Sequence, residues 1–155
     1  MARIRDGLPA GSWASDVNVR AIMQATRNRD TKPEVAIRSA LHRLGVRFRV
    51  AAQPLEGNRL TADLVFRRER VAVFVDGCFW HGCPMHKKVP ATNVEYWTKK
   101  MARNRQRDSR IDEDLRRAGW TVIRIWEHEP VAQAANEVLT AILGASGCPI
   151  VARHS

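Results

Sequence analysis

The sequence predicts an α/β protein in which helices flank a mixed β-sheet. Segments with helical periodicity alternate with short β-branched runs, in the order helix, three strands, helix, strand, helix. The chain has 155 residues, 45% of them hydrophobic, which is enough for one buried core but short for two. Because no internal repeat and no low-complexity linker interrupts the pattern, we expect a single folded unit.

The first helix is predicted from about residue 32 to residue 44. Thr31 and Glu34 form a capping-box pattern at its start, and Gly45 closes the segment. Strand-like runs follow at 46–50, 60–66 and 71–75, with a turn at 67–70. A long helix should then extend from residue 92 or 93 to Gly119, followed by a strand at 121–126 and a closing helix at 131–143.

Composition favours a polyanionic partner. Lys and Arg outnumber Asp and Glu by 26 to 16, which gives a net charge of +10 and makes nucleic acid the first candidate. No apolar run approaches the roughly 18 residues that span a bilayer, and no signal-peptide pattern opens the chain, so we expect a cytoplasmic protein without a membrane partner. We expect residues 1–12 to form a flexible basic arm, residues 13–144 the folded domain, and residues 145–155 a loose tail.

The stretch of residues 76–86 is the densest in chemical groups, with the sequence DGCFWHGCPMH. Three cysteines in the chain, an odd number, with two of them close together beside histidines, favour metal ligands over a disulfide framework. Cys78, Cys83 and His86 would supply three ligands of a tetrahedral structural zinc, and His128 is the candidate fourth. The alternative is that the cysteines are small buried hydrophobic residues and the histidines are merely exposed.

Asp63 stands inside the apolar segment ADLVF, where a charge is costly unless a cation compensates it. The end of the next strand carries Val75 and Asp76. A carboxylate facing that strand end could hold magnesium together with a backbone carbonyl and water. Alternation along the strand could instead point Asp63 to solvent on an open face of the sheet.

The long helix carries one apolar face with two polar interruptions. Residues that recur at spacings of three and four are Trp97, Met101, Asn104, Asp108, Ile111, Leu115 and Ala118. An inward-facing Asp108 could orient His81 as a general base for water, or the stripe could simply reach solvent in mid-helix. Glu34 has a structural explanation of its own, since the capping box accounts for it.

Aromatic and basic residues are interleaved in two neighbouring segments. The aromatic residues are Phe79, Trp80, Tyr96 and Trp97, and the flanking lysines are Lys87, Lys88, Lys99 and Lys100. Such a pattern suits stacking on bases or wedging between them, although core packing is the ordinary alternative. Arginines of the long helix could contact phosphates or form a solvated face, and they are Arg103, Arg105, Arg107 and Arg110.

Taken together, these motifs resemble those of the very-short-patch-repair mismatch endonucleases from about Ser12 to Glu129. The matching stretches are SWASDVNVRAIM, NRDTKPE, DGCFWHGC, PATNVEYW, KMARNRQRD and GWTVIRIWEHE. The resemblance implies a restriction-endonuclease-like fold of the PD-(D/E)XK type with a structural zinc. It also implies a magnesium-dependent nick on the 5′ side of a thymine mispaired with guanine, the product of 5-methylcytosine deamination. Double-stranded DNA with that mismatch would be the partner, alongside possible repair-pathway proteins, and a monomer is expected.

The resemblance further implies roles for single residues. Asp63 matches the magnesium-binding aspartate, with the Val75 carbonyl beside it, and His81 matches the catalytic histidine. Asp108 matches the carboxylate partner of that histidine, and Glu34 a glutamate tied to the network of metal and water. Phe79, Trp80 and Trp97 match the aromatic residues that enter the DNA next to the mismatch. Cys78 and Cys83 match zinc-ligand positions, and His86 and His128 fall at or near the remaining two. We also expect Lys87, Lys88 and Asn104 to contact DNA.

Some positions depart from the family's best-known pattern. Ala62 precedes Asp63 where proline is often found, and Val75 occupies a place that can hold threonine. Asp76 stands where some members have histidine, which leaves one histidine fewer near the scissile phosphate and gives Asp76 a possible part in catalysis. Two competing functions use the same residues. One is a restriction-type endonuclease that cuts fully paired DNA, and the other is a non-catalytic zinc module that binds DNA.

Overall fold

A computed structural model of the chain describes residues 30–78, 83–85 and 91–145. Within these ranges the chain forms three helices and four strands, in the predicted order. They are α1 (Lys32–Arg43), β1 (Arg49–Ala52), β2 (Ala62–Phe66), β3 (Val71–Asp76), α2 (Val94–Arg117), β4 (Thr121–Trp126) and α3 (Val131–Ala145). The bounds of β4 are those the sequence predicts, whereas β1 begins three residues later than its apolar alternation suggests.

The four strands form one mixed sheet in the order β1-β2-β3-β4. β1, β2 and β3 pair antiparallel, and β3 pairs parallel with β4. Parallel neighbours need a long crossover, which α2 provides between β3 and β4. The predicted mixed sheet is therefore confirmed.

Helices cover both faces of this sheet. On one face α1 and α3 pack together over a core that includes Ile37, Leu41, Phe66 and Val138. On the other face Leu115 of α2 packs in a smaller cluster with residues of β2 and β3. No helix of the described ranges is long and apolar enough to cross a membrane.

Glycines end α1 and α2 in the same way. Gly45 and Gly119 have φ values of +75° and +82°, a left-handed conformation that side chains rarely adopt. In α2 the amide of Trp120 donates to the carbonyl of Leu115, and the amide of Gly119 donates to that of Arg116. This Schellman arrangement satisfies carbonyls that the helix end leaves unpaired, so the chain can turn directly into β4.

The start of α1 differs from the capping box that the sequence suggests. Thr31 occupies the cap position, but its hydroxyl donates to Oε1 of Glu34 at 3.0 Å rather than capping a backbone amide. The other oxygen of Glu34 accepts from the amide of Asp30 at 2.9 Å. The buried side chain of Glu34 therefore binds both residues that precede the helix, Asp30 and Thr31.

One end of the sheet forks between β2 and β3. The register of this pair ends at Leu64↔Val73, whereas β3 continues beside β4 up to Asp76↔Trp126. The amide of Val75 donates instead to the side chain of Asp63. We call this gap between Asp63 and Val75 the fork, because β3 stays with β4 there and separates from β2.

The predicted outer segments lie mostly beyond what the structure describes. Residues 1–12, expected as a flexible arm, are outside the described ranges, as are residues 146–155 of the expected tail. Residue 145, the first of that tail, is the last residue of α3. The proposed division of the chain therefore stays a prediction.

Candidate active site and metal centre

A cleft of about 410 Å³ opens at the fork and brings predicted site residues together. Those that line it are Glu34, Asp63, Val75, Asp76 and Asp108. They come from α1, β2, β3 and α2, so four elements converge on one place. A larger groove of about 560 Å³, lined by Arg47, Arg49 and Arg68 among others, contains none of the predicted catalytic residues. We therefore assign the chemistry to the cleft at the fork.

Asp63 is the most strongly perturbed carboxylate of the cleft. Its Oδ2 accepts a hydrogen bond of 2.7 Å from the amide of Val75. Desolvation by burial raises the pKa of Asp63 to about 6, and the nearby charges of Glu34 and Asp76 add to that effect. The hydrogen bond from Val75 and the charge of Arg38 oppose the increase without cancelling it. A cation beside Asp63 would relieve this cost, since it favours the ionised form.

The fork has the oxygen ligands that a hard divalent cation prefers. Within the described residues, the Val75 amide is the recorded hydrogen-bond donor to Asp63, and it uses Oδ2. Among the described residues no donor contacts Oδ1, which could therefore bind a ligand in the cleft. Carboxylate oxygen, backbone carbonyl and water are the ligands of magnesium, so this donor set fits the ion. The contact seen is with the amide of Val75, and its carbonyl as a ligand stays a prediction.

Asp76 is engaged by a residue that the sequence analysis did not single out. Both of its oxygens lie 3.0 Å from Nη1 of Arg124 in β4. The same guanidinium binds Asp112 of α2 through Nε at 3.0 and 3.1 Å. Burial alone would lower the pKa of Arg124, but the hydrogen bonds and charges of Asp112 and Asp76 outweigh it and raise this pKa. A charge between two apolar residues of a strand, Ile123 and Ile125, was the signal that could have identified Arg124.

The inward face of α2 is confirmed over most of its length. Trp97, Met101 and Leu115 are buried, and Asp108 is half-buried at the cleft, whereas Ala118 is exposed. Nη2 of Arg124 lies 3.7 Å from Oδ1 of Asp108. Asp108 therefore faces the cleft rather than bulk solvent.

Glu34 is paired within α1 and also lines the cleft. Its Oε2 lies 3.1 Å from Nη2 of Arg38, one turn further along α1. That arginine also pairs with Asp30 at 2.7 Å. Because Glu34 lines the cleft as well, its carboxylate connects the start of α1 to the site of Asp63.

Several predicted site residues lie outside the described ranges. They are Phe79, Trp80, His81, His86, Lys87 and Lys88. Of the two remaining candidates for DNA contact, Asn104 is half-buried on α2. Trp97 is only 4% exposed, and its ring lies edge-on to Tyr96 with Lys100 5.3 Å from its centroid. A base contact by Trp97 therefore requires its ring to be uncovered, and it stays a prediction.

Two cysteines and a histidine meet just beyond the carboxyl ends of β3 and β4, and we call them the Cys-His cluster. Sγ of Cys78 lies 3.0 Å from Nδ1 of His128, and Sγ of Cys83 lies 3.8 Å from it. The three ligand atoms all lie within 4.8 Å of one another. Around tetrahedral zinc, sulfur and nitrogen ligands are about 3.5 Å apart, so the cluster fits three of the four ligands.

The surroundings of the Cys-His cluster also favour a bound cation. Burial raises the pKa of the Cys78 thiol to about 11, and hydrogen bonding to Cys83 adds to this. A metal would reverse that preference, because it binds the thiolate. The carboxylate of Glu127 accepts from the amide of Cys78 at 2.8 Å and fixes the start of the cysteine segment, a contact the sequence analysis missed.

A basic chain with a forked mixed sheet and carboxylates at the fork is consistent with the restriction-endonuclease-like class of nucleases. The sequence profile of the family described as DNA mismatch endonuclease Vsr matches residues 15–87. A type II nicking enzyme, V.NaeI of Lentzea aerocolonigenes, is 46% identical over 122 residues, which cover 77% of this chain and 74% of the relative.

Further relatives agree with this match. The type II nicking enzyme V.XorIIP of Xanthomonas oryzae is 42% identical over 71% of this chain and 79% of its own. The DNA mismatch endonuclease Vsr of Escherichia coli is 39% identical over 68% of this chain and 66% of its own. The chain belongs to the Vsr family of DNA endonucleases. The predicted resemblance is thereby confirmed, and so is the broad class of DNA-acting nuclease.

Proposed function

We propose that this protein nicks one strand of duplex DNA on the 5′ side of a thymine mispaired with guanine, and so starts very short patch repair. One observation carries the proposal: in a chain of the Vsr family, Glu34, Asp63, Asp76 and Asp108 line a single cleft at the fork. Relatives named as nicking enzymes and as a mismatch endonuclease support single-strand cleavage and a mismatch substrate. We expect the enzyme to act as a monomer on DNA in the bacterial cytoplasm.

Charge and aromatic side chains would provide DNA binding. The net charge of +10 attracts the duplex, and Arg59 and Arg107, both exposed, line the cleft where phosphate would enter. We assign opening of the base stack at the mismatch to Phe79, Trp80 and Trp97. Further contacts are assigned to Lys87, Lys88 and Asn104.

The proposed chemistry is hydrolysis of one phosphodiester bond. Magnesium, held by Asp63 and the Val75 carbonyl, would supply polarisation of the phosphate and neutralise its charge. His81 takes a proton from the attacking water, and Asp108 orients the imidazole for this task. The water oxygen bonds to phosphorus, the bond to the 3′ oxygen breaks, and that oxygen takes a proton from a neighbouring water molecule as it leaves. Glu34 and Asp76 order the water around the leaving oxygen.

The Cys-His cluster would hold a structural zinc. Cys78, Cys83 and His128 are three of its ligands, and His86 is the proposed fourth. Bound zinc would contribute folding free energy rather than chemistry. The cluster follows Asp76 by two residues, so its closure fixes the strand end that carries the cleft.

The decisive test is cleavage of end-labelled duplexes that contain a single thymine-guanine mismatch, compared with fully paired duplexes of the same sequence. The mismatch is placed in several contexts, including that of a methylated cytosine, with and without magnesium. We expect a magnesium-dependent nick immediately 5′ of the mispaired thymine. Cleavage of both strands of the paired duplex would instead identify a restriction-type enzyme, and binding without cleavage would identify a DNA-binding module.

A histidine variant separates catalysis from binding. His81→Ala should abolish nicking and leave binding of the mismatched duplex unchanged, because it removes only the base that activates water. His42→Ala is the matched control, since His42 is an exposed residue at the end of α1 and does not line the cleft. Undiminished nicking by His81→Ala would remove the proposed role of His81.

A further inference from the structure

Arg124 lies at the centre of three carboxylates on the β4 side of the cleft. Its side chain is only 22% exposed, and it contacts Asp76 through Nη1 and Asp112 through Nε and Nη2. Nη2 also lies 3.4 Å from the carbonyl oxygen and 3.7 Å from Oδ1 of Asp108. One planar group thus joins the end of β3 to two successive turns of α2.

Besides its three carboxylate neighbours, this guanidinium also contacts an aromatic ring. Its central carbon lies 4.7 Å from the centroid of the Phe74 ring, which is buried in β3. An arginine that stacks on an aromatic ring and forms hydrogen bonds along both edges loses little freedom further on substrate binding. Arg124 is therefore held in place before any DNA arrives.

Asp63 and Asp76, two of the three aspartates that line the cleft, differ as a result in how their charge is compensated. Both oxygens of Asp76 bind Arg124, so this carboxylate is neutralised from within the protein. Asp63 receives a backbone hydrogen bond from Val75, and Arg38 acts on it only as a nearby charge. The charge of Asp76 is thus compensated by a contact within the protein, whereas among the described residues that of Asp63 is met by a backbone amide and a more distant arginine.

We propose that Arg124 is a positioning residue that takes the place of a second divalent cation: it holds Asp76 and Asp108 in position and limits the cleft to one cation, at Asp63. The proposal rests on the proposed function, because it assigns Arg124 to the same cleft. Two-metal nuclease sites bind their ions about 3.5–4 Å apart between shared carboxylates. The guanidinium of Arg124 contacts Asp76 and Asp108, the two carboxylates of the cleft that a second ion would need besides Asp63.

The shape of arginine is required for this role, and its charge alone is insufficient. Asp76 and Asp112 are bound by opposite ends of the guanidinium, a geometry that the single ammonium of lysine does not provide. Arg124→Lys should therefore keep a positive charge in the cleft without restoring the positions of the carboxylates. This separates positioning from simple charge neutralisation.

The first experiment counts cations in the full chain with its Cys-His cluster loaded with zinc. Binding of Mn²⁺ to wild type, Arg124→Gln and the control Arg117→Gln is followed by electron paramagnetic resonance. Arg117 is 77% exposed on α2 and lies outside the cleft. We expect one Mn²⁺ per chain for wild type and control and two for Arg124→Gln, with a return to one when Asp76→Asn is added. A single Mn²⁺ of unchanged affinity in Arg124→Gln would overturn the proposal.

The second experiment measures nicking of the mismatched duplex. Arg124→Gln should lower kcat by about a hundredfold, the usual cost of misplacing a catalytic group by about 1 Å, with little change in KM. Arg124→Lys should recover less than a tenth of the lost rate. Full recovery by lysine, or an effect confined to KM, would show that Arg124 acts through charge or DNA binding instead.

Two safeguards keep the outcomes distinct. If Arg124→Gln does not fold, Asp112→Asn replaces it, because that variant removes the charge that binds Arg124 most closely to α2 and leaves only the longer contacts to Asp108, while the side chain keeps its size. It should bind a second, weaker Mn²⁺, and a single site would again overturn the proposal. If wild type does not nick mismatched DNA, the proposed function fails, but the Mn²⁺ count still decides the role of Arg124.

Discussion

The fork and the Cys-His cluster lie at the same end of β3 and treat buried polar groups in opposite ways. At the fork, Asp63 is partly buried, and its pKa is raised to about 6. In the Cys-His cluster, two buried sulfurs and an imidazole are already gathered within 4.8 Å. The first region is destabilised by the burial of Asp63, the proposed magnesium ligand, whereas the second would gain stability from the proposed zinc. Changing one residue in each region should therefore shift stability in opposite directions.

The largest effect is expected on catalysis at the fork. Asp63→Asn should lower nicking at least about a thousandfold, because a bound magnesium supplies several kcal/mol of transition-state stabilisation. Asp114→Asn, an exposed position on α2, is the matched control. Strand cleavage under single-turnover conditions measures both. Activity of Asp63→Asn within tenfold of wild type would show that the cation is held elsewhere.

The largest effect on stability is expected in the Cys-His cluster. Cys83 is fully buried, and Cys83→Ser should lower the free energy of unfolding by about 3 kcal/mol or more through loss of zinc. Met85→Ser is a control in the same segment, since Met85 is 77% exposed. Thermal unfolding together with zinc content checks this. A zinc-free variant with the melting temperature of wild type would contradict a structural metal.

At the fork, in contrast to the Cys-His cluster, a substitution should raise the free energy of unfolding, and the gain should depend on pH. Because the pKa of Asp63 is about 6 in the folded chain and 3.8 ordinarily, its contribution is fully present below about pH 4 and is lost as pH rises through 6. Without magnesium, Asp63→Asn should therefore be more stable than wild type by about 3 kcal/mol or less at pH 8, and equal near pH 4. Urea unfolding at several pH values measures this. A gain that grows toward low pH would contradict the assigned cause.

The smallest effect is expected at Glu34, which shares the cleft but is paired within the protein. Glu34→Gln should lower the free energy of unfolding by about 1 kcal/mol, since the charge partner of Arg38 is lost while the amide can still accept from Asp30. Chemical denaturation measures the difference. If this variant were instead stabilised, as Asp63→Asn should be, Glu34 would belong with the strained carboxylates of the fork.

The fold was largely predictable because its signals are local. Apolar periodicity and the glycines at 45 and 119 located α1, α2 and β4 to within a few residues. The same periodicity predicted an inward face of α2, with an inward-facing Asp108 as one of two alternatives, and in the structure Asp108 lines the cleft. The burial of Trp97 follows from that face too, although its aromatic and basic neighbours favoured a role at DNA.

The missed parts of the site depend on contacts between distant residues. Arg124 meets Asp76 across 48 positions and Asp112 across 12, and neither pairing leaves a periodic trace in the sequence. Glu127 reaches the amide of Cys78 across 49 positions in the same way. In contrast, Asp63 could be found because a charge within an apolar strand is conspicuous by itself. Arg124 has the same property and was overlooked because it lies far from the cysteine-rich segment.

The crossover through α2 has a consequence for how the chain folds. The strands β1, β2 and β3 are neighbours in sequence and close short loops, whereas Asp76–Arg124 and Cys78–His128 join residues 48 and 50 positions apart. The entropy of closing that long loop is lost once, so whichever tie forms first lowers the cost of the other. The two ties should therefore be cooperative, and their removal together should cost the chain less than the sum of the separate losses, because only the double variant recovers the loop entropy.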